Sequence, residues 1–277
     1  ERLAAANGFL GSMVSGAEIL GPALGGLLAA TIGATNAVWF DSASFFIAAA
    51  MQGSIRSNFR VGPAPTGKLQ VRRQIARAAK FVRGNRTVAT LLFTGFGNSV
   101  GFGAVVGLLV PYAVEQLSLP EGNFRIGILY SVYGAGALIS GLLFSRIFTT
   151  RRVRWITPAT IAMSSSLAVG LVASTSWLPS AVILLLFSLS VSTTIVTGIT
   201  YRQLAAPDDL RSSVNVFGRM ISWGGQPFGA AAGALISAVL DVRAAYMFTV
   251  IVTAISAFMA YVFLRPGTEI VTTTRSS

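Results

Sequence analysis

Few residues in this chain can do chemistry, and one of them sits where its surroundings least favour it. Glu18 lies in "GAEILGPALGG" (16–26), a carboxylate inside an otherwise apolar run, with Gly-Pro and Gly-Gly pairs close behind. Gln226 is a second deep polar residue, preceded by Trp223, Gly224 and Gly225 and followed by Pro227. Asn98 in "GFGNSVGFG" and the Ser/Thr run at 192–194 complete the set. If these runs span a bilayer, a carboxylate at mid-depth costs about 2.5–3.5 kcal/mol unless it faces a polar cavity or a partner. A low-dielectric setting penalises the ionised form, which suits a group that must load and release a proton. The alternative for Glu18 is a hydrogen bond to a neighbouring helix for structure alone. Asn98 and the hydroxyls face the same choice, at about 0.6 kcal/mol per interhelical bond. Trp223 is a candidate for stacking on a substrate ring, whereas Trp39, Trp155 and Trp177 fall near block ends, where aromatic belts form.

Other chemistries lack their parts. The chain contains no His, no Cys and no paired acidic motif. No metal centre, cofactor or acid–base pair is therefore expected, and the chain does not read as an enzyme. "GPAPTGKL" (62–69) imitates a phosphate-binding loop, but Leu69 stands where Ser or Thr should bind the metal. Its prolines lack the amide hydrogens that would cradle phosphate, and no strand precedes it. Any transport would then be driven by an ion gradient rather than by ATP.

The elements that position these residues are long apolar blocks. Just over half of the 277 residues are hydrophobic and only 11% are charged, against about 25% in soluble domains. The blocks run over 8–30, 36–55, 88–113, 124–148, 154–175, 178–200, 214–239 and 243–264. Each reaches the roughly 20 residues a helix needs to cross the hydrocarbon core. The expectation is an all-α polytopic membrane protein with eight spanning helices.

The formal net charge of +12 is distributed unevenly. Nine basic residues fill the long loop from Arg56 to Arg86, and Arg146, Arg151, Arg152 and Arg154 bracket the turn between the fourth and fifth blocks. Arg202, Arg211 and Arg219 surround the next loop on that side, and only Arg125 and Arg243 fall on the other. This bias places both chain ends and the long loop in the cytoplasm, and argues for a lipid bilayer rather than nucleic acid as the partner. Residues 68–86 have Leu69, Ile75, Ala79 and Val82 near one face, which suits a helix on the inner leaflet; a solvated basic loop is the alternative.

Shifted by 208 positions, "NGFLGSMVSGAEILGPALGGLLAA" (7–30) lies over "NVFGRMISWGGQPFGAAAGALISA" (215–238). Asn7 falls on Asn215, Gly21 on Gly229, Gly25 on Gly233, and Glu18 on Gln226. The second copy stands six blocks on from the first, with five between them, so both run the same way through the membrane. Two polar groups at equivalent depth suggest one central cavity.

The Gly8, Ala17, Gly21-Pro22 and Gly25-Gly26 spacing resembles the antiporter motif of drug:proton exporters of the major facilitator superfamily, with Ala17 where the family usually has Gly. Small residues four apart let helix backbones touch, and proline bends the helix. "GLLFSRIFTTRR" (141–152) is similar to the degenerate second copy of that superfamily's loop motif: Gly141, Arg146, Arg151 and Arg152 fit, but Ser145 replaces Asp. An ordinary basic turn is the alternative there. "ERLAAANG", "DSASFFIAA", "AAKFVRGN" and "YRQLAAPDDLRSSVN" resemble a bacterial branch of secretion effectors, enterobactin exporters and macrolide efflux permeases.

The resemblance implies helices five to twelve of twelve, with four helices expected upstream of Glu1. It divides the chain into the last two helices of the first half (1–57), a basic linker (58–87), a six-helix second half (88–265) and a cytoplasmic tail (266–277). It also implies an inner-membrane monomer exporting amphipathic small molecules by proton antiport. Glu18 would couple the proton and could meet a cationic cargo, with Gln226, Trp223 and Asn98 in the cavity. A facilitator or uptake carrier, or a transport-inactive fragment, is the alternative.

Overall fold

The computed structural model describes residue 28, residue 32, and residues 34–54, 68–147, 152–207 and 210–264. Among these the fold is helical throughout, without strands. The long helices are α1 (Ala34–Gly53), α2 (Lys68–Gly84), α3 (Arg86–Gly107), α4 (Phe124–Ile147), α5 (Val153–Ala173), α6 (Trp177–Ala205), α7 (Arg211–Val239) and α8 (Val242–Phe263). α3 continues through a short turn, Leu109–Pro111, into a π-helical turn, Tyr112–Gln116.

The helix ends follow from local chemistry. Asn85 caps α3 by accepting from the Val88 amide at 3.0 Å, and Asp241 caps α8 by accepting from Ala244 at 2.6 Å. α6 stops at Ala206, extended at φ −79° and ψ 136°, as a residue before proline must be. Pro158 and Pro227 lie inside α5 and α7.

Five described helices are long and apolar enough to cross a membrane: Arg86–Gly107, Phe124–Leu143, Val153–Ala173, Trp177–Ala205 and Val242–Phe263. α1, with Asn36, Asp41, Ser42 and Gln52, and α7, with Arg211, Arg219 and Gln226, are not among them. The expected span over 8–30 lies outside the described residues. α1 leaves Trp39, Phe40, Phe46 and Met51 exposed alongside Asn36, Asp41 and Gln52.

The basic stretch before α3 is a helix, not a solvated loop. α2 packs on α7 and α3, burying Ala78 and Val82, while Ile75 is exposed and Ala79 half-buried. Only Asn85 separates α2 from α3, so this part of the expected linker is packed onto α3 and α7.

One apolar core gathers Val105, Leu109, Leu129, Leu171, Leu184 and Phe187 around Tyr112 and Tyr246, whose rings stack at 4.8 Å. A second, at the α2 end, gathers Val88, Leu91, Leu92, Val153, Ile161 and Tyr201. At the first core the Gln116 amide donates to the carbonyls of Leu171 (3.1 Å), Val172 (2.8 Å) and Ser174 (2.8 Å). These carbonyls close α5, where backbone acceptors have no helical partner. Replacing Gln116 with leucine removes this donor from Val172 and Ser174, while Leu171 keeps its bond from the Tyr112 hydroxyl. The change is expected to cost about 1–3 kcal/mol, read as a lower thermal midpoint in detergent with the helical far-UV spectrum retained.

The contact between α3 and α7 is the most extensive in the fold. Gly95, Ser99, Gly103 and Gly107 face Ser222, Gly225, Gly229 and Gly233. A β-carbon on Gly225 would lie 2.5 Å from the Phe96 carbonyl oxygen, and one on Gly233 2.9 Å from Leu108. Gly103 meets the backbone of Gln226, and Gly229 that of Val100. Four-residue spacing on both helices brings the backbones together, which is how helices associate where lipid removes the hydrophobic drive.

Candidate functional site

A recess opens between α3, α6 and α7 near the end where α3 begins. It is lined by Leu91 and Gly95, by Thr194, Ile195, Gly198, Ile199 and Arg202, and by Ser222 and Trp223. Trp223 is 43% exposed, and the Arg219 guanidinium stands 4.5 Å over its ring. Arg202 is only 2% exposed.

The sequence places Arg202 just past its apolar block, beside a loop; the structure places it in the last turn of α6. The helix outruns the apolar block because Tyr201 to Ala205 contains no breaker before Pro207. Glycines on both sides then admit the guanidinium. A β-carbon at Gly218 would lie 2.6 Å from its Nε, and one at Gly198 3.5 Å from an Nη. The Arg202 Nε and the Ser222 hydroxyl are both buried without a hydrogen-bond partner among the described residues. Among the described residues no ion pair forms there either: the described carboxylates are Asp41 in α1 and Glu115, Glu121 and Asp241, the last three at the far end of α3. The i, i+4 pairing of Gly198 with Arg202 is the one sequence signal that could have marked this residue.

The other expected site residues separate. Asn98 sits midway along α3, fully buried, with neither amide nitrogen nor oxygen hydrogen-bonded among the described residues. Gln226 is half-buried, one position beyond Gly225 in the packed stripe. Neither lines the recess that Trp223 does. In the Ser/Thr run, Thr194 lines the recess and also bonds Thr160 at 2.8 Å, and Thr193 bonds Ser140 at 2.8 Å. These hydroxyls therefore tie α6 to its neighbours.

Of the loop-like stretch, Gly141 is an exposed residue of α4 with open space about it, and Arg152 is exposed just before α5. Ser145 and Arg146 fall in the last turn of α4, but their side chains, like Arg151, lie outside the described residues. So do Glu18 and the whole of Gly8, Ala17, Gly21, Pro22, Gly25 and Gly26.

A family model described as Major Facilitator Superfamily matches residues 1–226. The chain belongs to the Major Facilitator Superfamily. Comparison with curated proteins finds no significant match. Membership makes this superfamily chain a multi-pass membrane transporter, its partners the lipid bilayer and a small-molecule substrate.

Proposed function

We infer that this chain is the part, from the fifth helix onward, of a twelve-helix bacterial inner-membrane exporter. It moves amphipathic small molecules outward by proton antiport with alternating access, in the branch of secretion effectors, enterobactin exporters and macrolide permeases. Residues 1–57 close the first half and the six helices of 88–265 form the second, with both ends of the chain cytoplasmic. The functional protein is a monomer, and Glu18 carries the proton.

The observation that supports this reading most is the α3–α7 contact. Gly225, Gly229 and Gly233 meet the facing helix, and the 208-residue offset carries these positions onto Ala17, Gly21 and Gly25. We read the antiporter-like spacing, by this repeat, as serving the same close approach, with Glu18 one residue from Ala17 in sequence as Gln226 is from Gly225. A polar group held next to a rigid seam keeps its depth while the rest of the cavity changes shape. Asn98 adds to this: a buried amide lacking partners costs about 1–3 kcal/mol, and a second conformation that supplies partners would recover it.

The test is accumulation in inverted membrane vesicles that respiration has made acidic inside. A panel of one macrolide, one catecholate siderophore and one aromatic dye should include a compound collected in the lumen, and a protonophore should release it. Collection of none, or collection only under the opposite gradient, would sink proton-coupled export.

A further inference from the structure

We propose that Arg202, with Ser222, is the anchor for an anionic group on the transported molecule, a carboxylate by preference, and that Trp223 meets the apolar body attached to it. This rests on reading the chain as an exporter but changes the expected cargo, because the described wall of the recess carries positive charge rather than negative.

The first observation is an unanswered charge. Arg202 is 2% exposed and forms no ion pair among the described residues, yet charged groups are buried at this depth only when something pairs with them. The second is that its place is built. Gly218 leaves room where any side chain would crowd the guanidinium, and Gly198 adjoins it at ordinary contact distance. The third is a second unpaired group in the same recess: the Ser222 hydroxyl is buried and partnerless, on the helix facing Arg202.

A planar guanidinium fork matches the two oxygens of a carboxylate, and a hydroxyl beside it can donate to one of them. Thr194 does not compete, since its hydroxyl bonds Thr160 and the Ser190 carbonyl. Trp223, partly exposed in the lining, offers an aromatic surface, and Arg219 over its ring adds positive charge close by. The recess therefore favours an amphipathic anion and disfavours an amphipathic cation. Glu18 is left with the proton alone.

The experiment uses the full chain in nanodiscs of neutral lipid, with every tryptophan except Trp223 replaced by phenylalanine. Sodium benzoate at pH 7 is the probe, benzamide its neutral isostere, and sodium chloride the ionic-strength control. Benzoate should shift Trp223 emission saturably, and benzamide should bind at least about tenfold more weakly, or ~1.4 kcal/mol. Arg202→Gln should weaken benzoate by the same factor or more, with Arg202→Lys intermediate. Ser222→Ala, which removes only a hydroxyl, should weaken it several-fold and keeps the test open if Arg202→Gln fails to fold. Equal binding of benzamide, or benzoate binding unchanged in Arg202→Gln or Ser222→Ala, would overturn the proposal. So would an Arg202-dependent response to phosphatidylglycerol with none to benzoate, which would make the recess a lipid headgroup site. Benzoate binding without uphill export in vesicles would leave the anchor standing and remove the exporter reading. Export without benzoate binding would do the reverse.

Discussion

Glu18→Gln is expected to abolish accumulation driven by a pH gradient while leaving downhill exchange of the same compound measurable. Glutamine keeps the size and hydrogen bonding of the side chain but cannot release a proton. A helix that merely uses Glu18 as a hydrogen-bonding strut would tolerate the change, whereas a coupling group would not. The expected loss is more than about tenfold in uphill rate, or ~1.4 kcal/mol. Gln226→Glu, at the repeat-related position, should not restore coupling, because it stands in the other half of the repeat. Paired measurements in inverted vesicles check this: the imposed gradient for uphill flux, and labelled-compound exchange at equal pH for downhill flux. Unchanged uphill flux in Glu18→Gln would remove Glu18 from the coupling step.

The second large effect concerns the α3–α7 seam. Gly229→Ala sets a methyl group against the Val100 carbonyl, and backbone cannot rotate aside as a side chain can. Overpacking of this kind costs about 1–3 kcal/mol, sometimes more. Gly224→Ala is the matched control, since a β-carbon there meets nothing within 4 Å. It should be neutral or slightly stabilising, because alanine is the better helix former. Thermal midpoints by size-exclusion of heated detergent extracts separate the two variants. If Gly229→Ala survived heating as well as Gly224→Ala, the close approach of α3 and α7 would not be what holds this half together. The same logic makes Gly103→Ala destabilising, as its β-carbon would meet the Gln226 backbone.

The helices are legible in the sequence because their apolar blocks are long and bounded by charge: the boundaries of α4, α5 and α8 fall within two residues of the block ends, and the block that begins with α3 ends in the π-helical turn that follows it. α6 and α7 differ in an instructive way. Both extend past their apolar cores into the basic loop, carrying Arg202 and Arg211 into helix. Charge marks where a chain leaves lipid, not where hydrogen bonding along the helix stops. The α3–α7 seam is readable from Gly spacing on both partners, but which helix pairs with which is not, because spacing names a face and not its neighbour. Arg202 is hard to find for the same reason: beyond its i, i+4 spacing from Gly198, its burial depends on Gly218 in the next helix, a contact that exists only in three dimensions. Asn98 is legible as a polar residue at mid-helix, while its lack of partners is a property of packing.

The most direct test of proton-coupled export is proton movement caused by the cargo itself. Inverted vesicles holding the full chain are acidified by respiration, the lumen is followed with a pH-sensitive dye, and the compound found to accumulate is then added. Antiport predicts an immediate, saturable rise in luminal pH that Glu18→Gln abolishes. Cargo entry with no change in luminal pH, or with further acidification, would contradict it.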